Sequence, residues 1–119
     1  MTTNEIATRL AELCRNGEFE TAQKELFAAD VVSIETSASP GFEKETHGLQ
    51  AIIEKGHKFD AMVQQIHSTK VSEPLITTNT IALKFDMDIT MKGKPREKME
   101  ELCIYKVKDG KIISEEFFM

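Results

Sequence analysis

The segment IALKFDMDITM, residues 81–91, decides the fold of this chain. Its odd-numbered positions, from Ile81 to Met91, are all apolar, whereas its even-numbered positions are mostly polar or charged. This period of two predicts a β-strand with one buried face and one face that mostly contacts water. No other segment of the chain has so clear a period.

The segments around this strand also have the pattern of strands. Gly93-Lys94-Pro95 predicts a turn, and residues 98–108 predict a strand with one face made of Met99, Glu101, Cys103, Tyr105 and Val107. Asp109-Gly110 is typical of a hairpin turn before a last strand over residues 112–119. Residues 63–73 predict a further strand, whose inward face the alternation leaves undecided.

The first half of the chain is mainly helical. Thr2 and Glu5 have the spacing of a capping box, and the apolar residues that follow repeat at helical period. A second helix is predicted to end near residues 27–29, a strand to cover 31–36, a brief strand 43–46, and a third helix to follow Gly48. Gly56 costs that helix about 1 kcal/mol relative to Ala, which indicates a close approach to its backbone.

Length and composition exclude several classes of protein. The 119 residues suit one domain over 1–119, and the net charge of -5 argues against a nucleic-acid partner. No apolar stretch is long enough to cross a membrane, and no signal peptide is visible. Cys14 and Cys103 lack the paired spacing of metal ligands, so we expect no metal, no cofactor, and a reducing cytoplasm.

Four segments, in this order and spacing, resemble a known family. They are GEF at 17–19, LFAADVV at 26–32, THGLQAI at 46–52 and IYKVKDGKI at 104–112. Over nearly its whole length the chain resembles SnoaL-like proteins of the nuclear-transport-factor-2-like superfamily, which includes ketosteroid isomerases. The resemblance implies an α+β fold in which a cone-shaped, curved antiparallel sheet packs on three helices and encloses an apolar cavity.

The resemblance also implies a candidate catalytic residue. Glu35 takes the place of the carboxylate base of ketosteroid isomerases, and an apolar cavity would raise its pKa. We expect Glu35 to be partly buried and unpaired beside Phe85, Met87 and Tyr105, so that Glu35→Gln leaves stability equal or higher. A solvated glutamate at a strand end is the alternative.

The other donors of the isomerase site do not carry over. The matching positions fall near Leu10, which cannot donate a hydrogen bond, and at about Cys103, a weak donor. Glu101 and Tyr105 are therefore the candidates to assist Glu35. The candidate ligand-binding residues lie on faces predicted to point inward, and Glu115 is expected to share its face with Ile113 and Met119. These ligand-binding candidates are Phe59, Phe85, Met87, Cys103, Glu115 and Phe117.

Three functions remain open. The first is a small enzyme that transfers a proton on an apolar carbonyl compound. The second is a non-catalytic domain that binds a small apolar molecule, and the third is a dimeric structural domain whose cavity is filled by side chains. Leu102 and Ile104 form an apolar centre on the outward face of residues 98–108, with lysines and Glu100 around it. Interfaces have this arrangement, so the sequence predicts a homodimer through this face.

Overall fold

The computed structural model describes all residues from Met1 to Met119 and has three helices and seven strands. In chain order, the helices and the first two strands are α1 (Thr3–Arg15), α2 (Phe19–Leu26), β1 (Phe27–Ile34), β2 (Glu45–His47) and α3 (Leu49–Met62). The remaining strands are β3 (Val63–Val71), β4 (Leu75–Ile76), β5 (Thr80–Met91), β6 (Glu97–Lys108) and β7 (Lys111–Phe118). None of the helices is long and apolar enough to cross a membrane.

The seven strands form one open, curved sheet against which the helices pack. The strand order is β2-β1-β7-β6-β5-β3, and β4 pairs with β5 outside this path. The predicted α+β class is confirmed. One feature of the sheet differs from the expectation: β1 runs parallel to β7, so the sheet is mixed. The two strands can be parallel because six other elements, from β2 to β6, lie between them in the sequence, whereas a hairpin would make them antiparallel.

The capping box at the start of α1 forms as the spacing predicted. The backbone N–H of Thr2 donates to Glu5 Oε1 at 2.8 Å, and the N–H of Glu5 donates to Thr2 Oγ1 at 3.1 Å. These bonds satisfy backbone donors that a helix otherwise leaves open at its first turn. The cap fixes the start of α1, whose apolar stripe then lies in the core.

The core lies between the helices and the concave face of the sheet. Its fully buried large side chains come from every layer and include Ile6, Leu10, Leu26, Val31, Ile52, Ile81, Leu83, Ile89 and Ile112. The alternation in residues 81–91 is confirmed, because Ile81, Leu83 and Ile89 are buried while Lys84 is exposed. On β3, the less exposed side chains are Val63, His67, Thr69 and Val71, which decides the face that the sequence left open.

Two predicted details are wrong. Strand β1 begins at Phe27, directly after α2 ends at Leu26, because Phe27 is already extended and buried in the core. Gly56 has no atom within 4 Å of the position that a Cβ would occupy, so no close approach requires glycine there.

Candidate functional site

Polar side chains meet on the concave face of the sheet, where β1, β7 and β6 lie side by side and α3 packs on β1. We call this group the inner cluster. Ser33 and Glu115 are Cα partners across the β1–β7 pair, and Glu115 is also the Cα partner of Tyr105 on β6. The members of the inner cluster are Ser33, Glu35, Lys55, Glu101, Cys103, Tyr105 and Glu115.

A bulge in β7 directs Glu115 inward. Val107 pairs with Ile112 and Lys106 pairs with Ser114, so Ile113 has no partner on β6. A bulge inserts one extra residue and changes the side to which the following side chains point. Ile112 and Glu115 are therefore both buried. The prediction that Ile113 and Met119 share the inward face of Glu115 is wrong, because Ile113 is the bulged residue and Met119 is exposed.

Lys55 on α3 connects one residue of β1, Ser33, with Glu35, the residue that follows the strand. Its Nζ donates to Ser33 Oγ at 2.8 Å and to Glu35 Oε1 at 3.0 Å. The same ammonium lies 5.8 Å from the centroid of the Phe117 ring. The side chain of Lys55 is 16% exposed and that of Glu35 is 30% exposed, so this pair forms the solvent-facing end of the inner cluster.

Glu35 differs from its expected state. It directly follows the last residue of β1, and its backbone N–H donates to Lys44 O at 2.7 Å. The expectation of an unpaired carboxylate is wrong, because Lys55 neutralises it. The expected gain in stability from Glu35→Gln therefore does not follow, since that change leaves a half-buried ammonium without its partner. Phe85 and Met87 lie on β5, which is separated from β1 by the strands β7 and β6. Glu35 therefore does not lie on a strand next to theirs.

Glu115 is the deeply buried carboxyl of the inner cluster, at 5% exposure. Burial raises its pKa from 4.5 to about 7, while a hydrogen bond with Ser33 and the charge of Lys55 oppose that rise. The nearby carboxylates of Glu35 and Glu101 raise it further. Glu115 thus has a pKa near neutral pH although its side chain is buried.

Glu101 and Cys103 form a second hydrogen-bonded pair. Cys103 Sγ donates to Glu101 Oε1 at 3.4 Å. Burial raises the pKa of Glu101, and the bond from Cys103 lowers it in part. Burial also raises the pKa of the Cys103 thiol and of the Tyr105 phenol, so both groups are neutral and protonated at neutral pH.

The structure brings the catalytic candidates Glu35, Glu101 and Tyr105 into one cluster, and it places the ligand-binding candidates as follows. Cys103, Glu115 and Phe85 are buried, whereas Phe59, Met87 and Phe117 are half-buried. Phe85 packs against Phe19, with ring centroids 6.0 Å apart. Leu10 is buried in α1, so no donor stands at that position.

Two surface depressions lie away from the inner cluster. One is lined by Asn4, Glu5, Thr8, Arg9 and Glu12 on α1, and the other by Asp88, Arg96, Glu97 and Lys98 at the β5–β6 turn. Both are open and have no apolar residue in their walls, so neither suits an apolar ligand. The chain has no group of three or more His, Cys, Asp or Glu residues arranged to hold a metal ion.

Sequence reasoning missed Lys55, which contributes the cation of the inner cluster. A signal for it was present, because Lys55 lies three residues after the buried Ile52 and four residues before Phe59, on the same face of α3. A lysine at such a position most often extends its ammonium into water. Here Ser33 and Glu35 hold the ammonium at the sheet instead.

Comparisons with known proteins agree on one family. The sequence matches the family described as SnoaL-like domain over residues 1–119. A candidate SnoaL-like polyketide cyclase from Mesorhizobium loti is 32% identical, with 100% of each chain covered and a TM-score of 0.93. No curated protein matches the chain.

More distant solved structures share the fold alone. A protein with a ketosteroid-isomerase-like fold from Catenulispora acidiphila, solved in complex with trimethylamine, is 18% identical with a TM-score of 0.76, covering 99% of this chain and 87% of that one. TerC, co-crystallised with polyporic acid, is 13% identical with a TM-score of 0.80, covering 98% of this chain and 90% of that one.

Proposed function

The chain belongs to the SnoaL-like domain family, and on that premise we propose that its inner cluster binds a small, largely apolar carbonyl compound and transfers a proton on it. The observation that carries this proposal is Glu115, a buried carboxyl whose pKa is raised to about 7. A proton-transfer group is most effective when its pKa lies near the working pH.

In the proposed reaction, the Glu115 carboxylate removes a proton from the carbon next to the carbonyl group. The electron pair of that C–H bond forms a C=C bond, and the carbonyl oxygen becomes an enolate oxygen. Glu115 then gives a proton, either the one removed or one that it has exchanged with solvent, to the same carbon or to another carbon of the enolate. Glu35, Glu101 and Tyr105 assist as neighbouring charges and donors, and Phe59, Phe85, Met87 and Phe117 supply apolar contacts.

The second candidate function is a binding domain without catalysis, or a structural domain whose interior is filled. One observation favours it: Leu10 is buried at the position where the isomerase site would need a donor. Membership of the family is compatible with a domain of this kind, because a fold does not determine activity.

One experiment separates these functions. The exchange of α-protons of small cyclic ketones into D2O is followed by NMR with the wild-type protein and with Glu115→Gln. We expect wild-type protein to accelerate exchange for at least one ketone and Glu115→Gln to abolish the acceleration. Ligand-induced shifts at Glu115 and Phe117 without any exchange would favour the binding domain. The absence of both effects across the set would favour the filled structural domain.

We further propose that the domain forms a homodimer through the convex face of the sheet. Leu102 and Phe118 are Cα partners across β6 and β7, and both are exposed on that face. Ile104 lies one outward position further along β6 and is half-buried. Such an apolar centre with a charged rim is typical of interfaces.

Because Cys14 and Cys103 are both free and buried, we propose a reducing cytoplasm as the location of the protein.

A further inference from the structure

Lys55 has a hydrogen-bond donor that the protein does not use. An ammonium carries three N–H donors. Two of those of Lys55 are taken by Ser33 Oγ and Glu35 Oε1. The third has no acceptor within the chain, and Nζ lies over the Phe117 ring at 5.8 Å from the centroid. The side chain of Lys55 is 16% exposed and that of its partner Glu35 is 30% exposed, so this end of the inner cluster is in contact with solvent.

The position of this cation is unusual for the chain. Among its 15 lysines and arginines, only Lys55 and Arg9 are not exposed. Arg9 lies on α1 and is held by Glu25 at 2.7 Å, away from the inner cluster. Lys55 is therefore the cation that a ligand on the concave face of the sheet would meet.

The groups around Lys55 decide which ligands suit the site. The carboxyl of Glu35 faces it from the residue after β1, and those of Glu101 and Glu115 face it from β6 and β7. The Cys14, Cys103 and Tyr105 groups around them are neutral. A cationic ligand would compete with Lys55 for the same carboxylates. A ligand with an acceptor oxygen would instead complete the hydrogen bonds of Lys55 and leave its pair with Glu35 intact.

We propose that Lys55 binds the oxygen of the ligand and stabilises negative charge that develops on it, so that the ligands of this site are small apolar compounds with an enolisable carbonyl or an acidic hydroxyl group. This inference rests on the proposed function, because it assumes that the ligand occupies the inner cluster. When Glu115 removes the α-proton, the enolate oxygen gains the electron pair and accepts the hydrogen bond from Lys55. A fixed cation at that point lowers the energy of the transition state.

The probe for this inference is 4-nitrophenol, an apolar ring with an acidic hydroxyl group whose ionised form absorbs visible light. Binding of the neutral and ionised forms is measured by absorbance across the pH range in which the free phenol ionises. Wild-type protein should bind the phenolate at least about tenfold more tightly than Lys55→Met does, since a hydrogen bond to a charged group contributes that much. Lys58→Met, one turn further along α3, is the matched control and should bind like the wild-type protein.

The outcomes separate this inference from the function on which it rests. If wild-type and Lys55→Met proteins bind phenolate equally, or if both bind only the neutral phenol, the role of Lys55 is wrong while ligand binding stands. If neither form perturbs the NMR signals of Glu115 and Phe117, both proposals fail. Lys55→Gln keeps a donor without the charge, so it should bind neutral phenol and lose the preference for phenolate even if Lys55→Met does not fold.

Discussion

Ser33 and Glu115 are Cα partners across the parallel strands β1 and β7, and both side chains are buried. This register places the carboxyl of Glu115, whose pKa burial raises to about 7, beside the hydroxyl of Ser33, which accepts a hydrogen bond from Lys55. The protonation of Glu115 therefore depends on its neighbours, and substitution of those neighbours tests this dependence.

Glu115→Gln should remove a pH dependence of stability. The pKa of Glu115 is about 7 in the folded protein and near 4.5 when unfolded, so its contribution is fully present below about pH 4.5 and is lost as pH rises through 7. The loss amounts to about 3 kcal/mol at pH 8, since a raised pKa penalises the charged form.

Urea unfolding of both proteins at several pH values measures this difference. Glu115→Gln should gain on the wild-type protein between pH 5 and 8, because glutamine cannot ionise. A constant difference between the two proteins over that range would show that Glu115 ionises normally in the folded state.

Lys55→Met should raise the pKa of Glu115. The charge of Lys55 favours the ionised form of that carboxyl, and methionine replaces it with an apolar side chain of similar length. Carboxyl-carbon NMR of Glu115 across pH 4 to 10 gives the value directly. Lys58→Met is again the control, because Lys58 is exposed and bonds to Gly41 O rather than to the inner cluster. An unchanged titration in Lys55→Met would contradict the coupling between the two residues.

Gly56→Ala should stabilise the protein. Gly56 lies inside α3, and an added Cβ would meet no atom within 4 Å. Alanine is favoured over glycine in a helix interior by about 0.5–1 kcal/mol. Chemical unfolding at fixed pH measures the change. Gly48→Ala is the contrasting variant and should destabilise, because Gly48 has a φ of 92° that alanine adopts only with strain. A loss of stability in Gly56→Ala would mean that the glycine is needed for another reason.

Leu102→Glu should convert the proposed homodimer into a monomer. A carboxylate at the centre of an apolar interface loses its hydration without gaining a partner. Light scattering at micromolar concentration measures the mass of each protein. Ile66→Glu is the matched control, because Ile66 is 45% exposed, compared with 43% for Leu102, but lies on the edge strand β3. A wild-type protein that already has the mass of a monomer would end the dimer proposal.

The local patterns of the sequence determined most of the secondary structure. The alternation in residues 81–91 and 98–108 predicted two strands and the inward faces of both, because side chains of a strand point to opposite sides at each step. The capping box located the start of α1 to the residue. Four spaced segments were sufficient to predict the family, which the match over residues 1–119 confirms.

The sequence named five members of the inner cluster, whereas only the tertiary structure added Ser33 and Lys55 and decided how these side chains are paired. The parallel pairing of β1 with β7 joins residues far apart in the chain, and no local pattern specifies such a pair. The bulge at Ile113 changed which residues of β7 point inward, since a single extra residue reverses the alternation. The state of Glu35 depended on Lys55, which is 20 positions away along the chain. Periodicity tells which side of a strand is buried, but charges and pKa values depend on neighbours that only folding brings together.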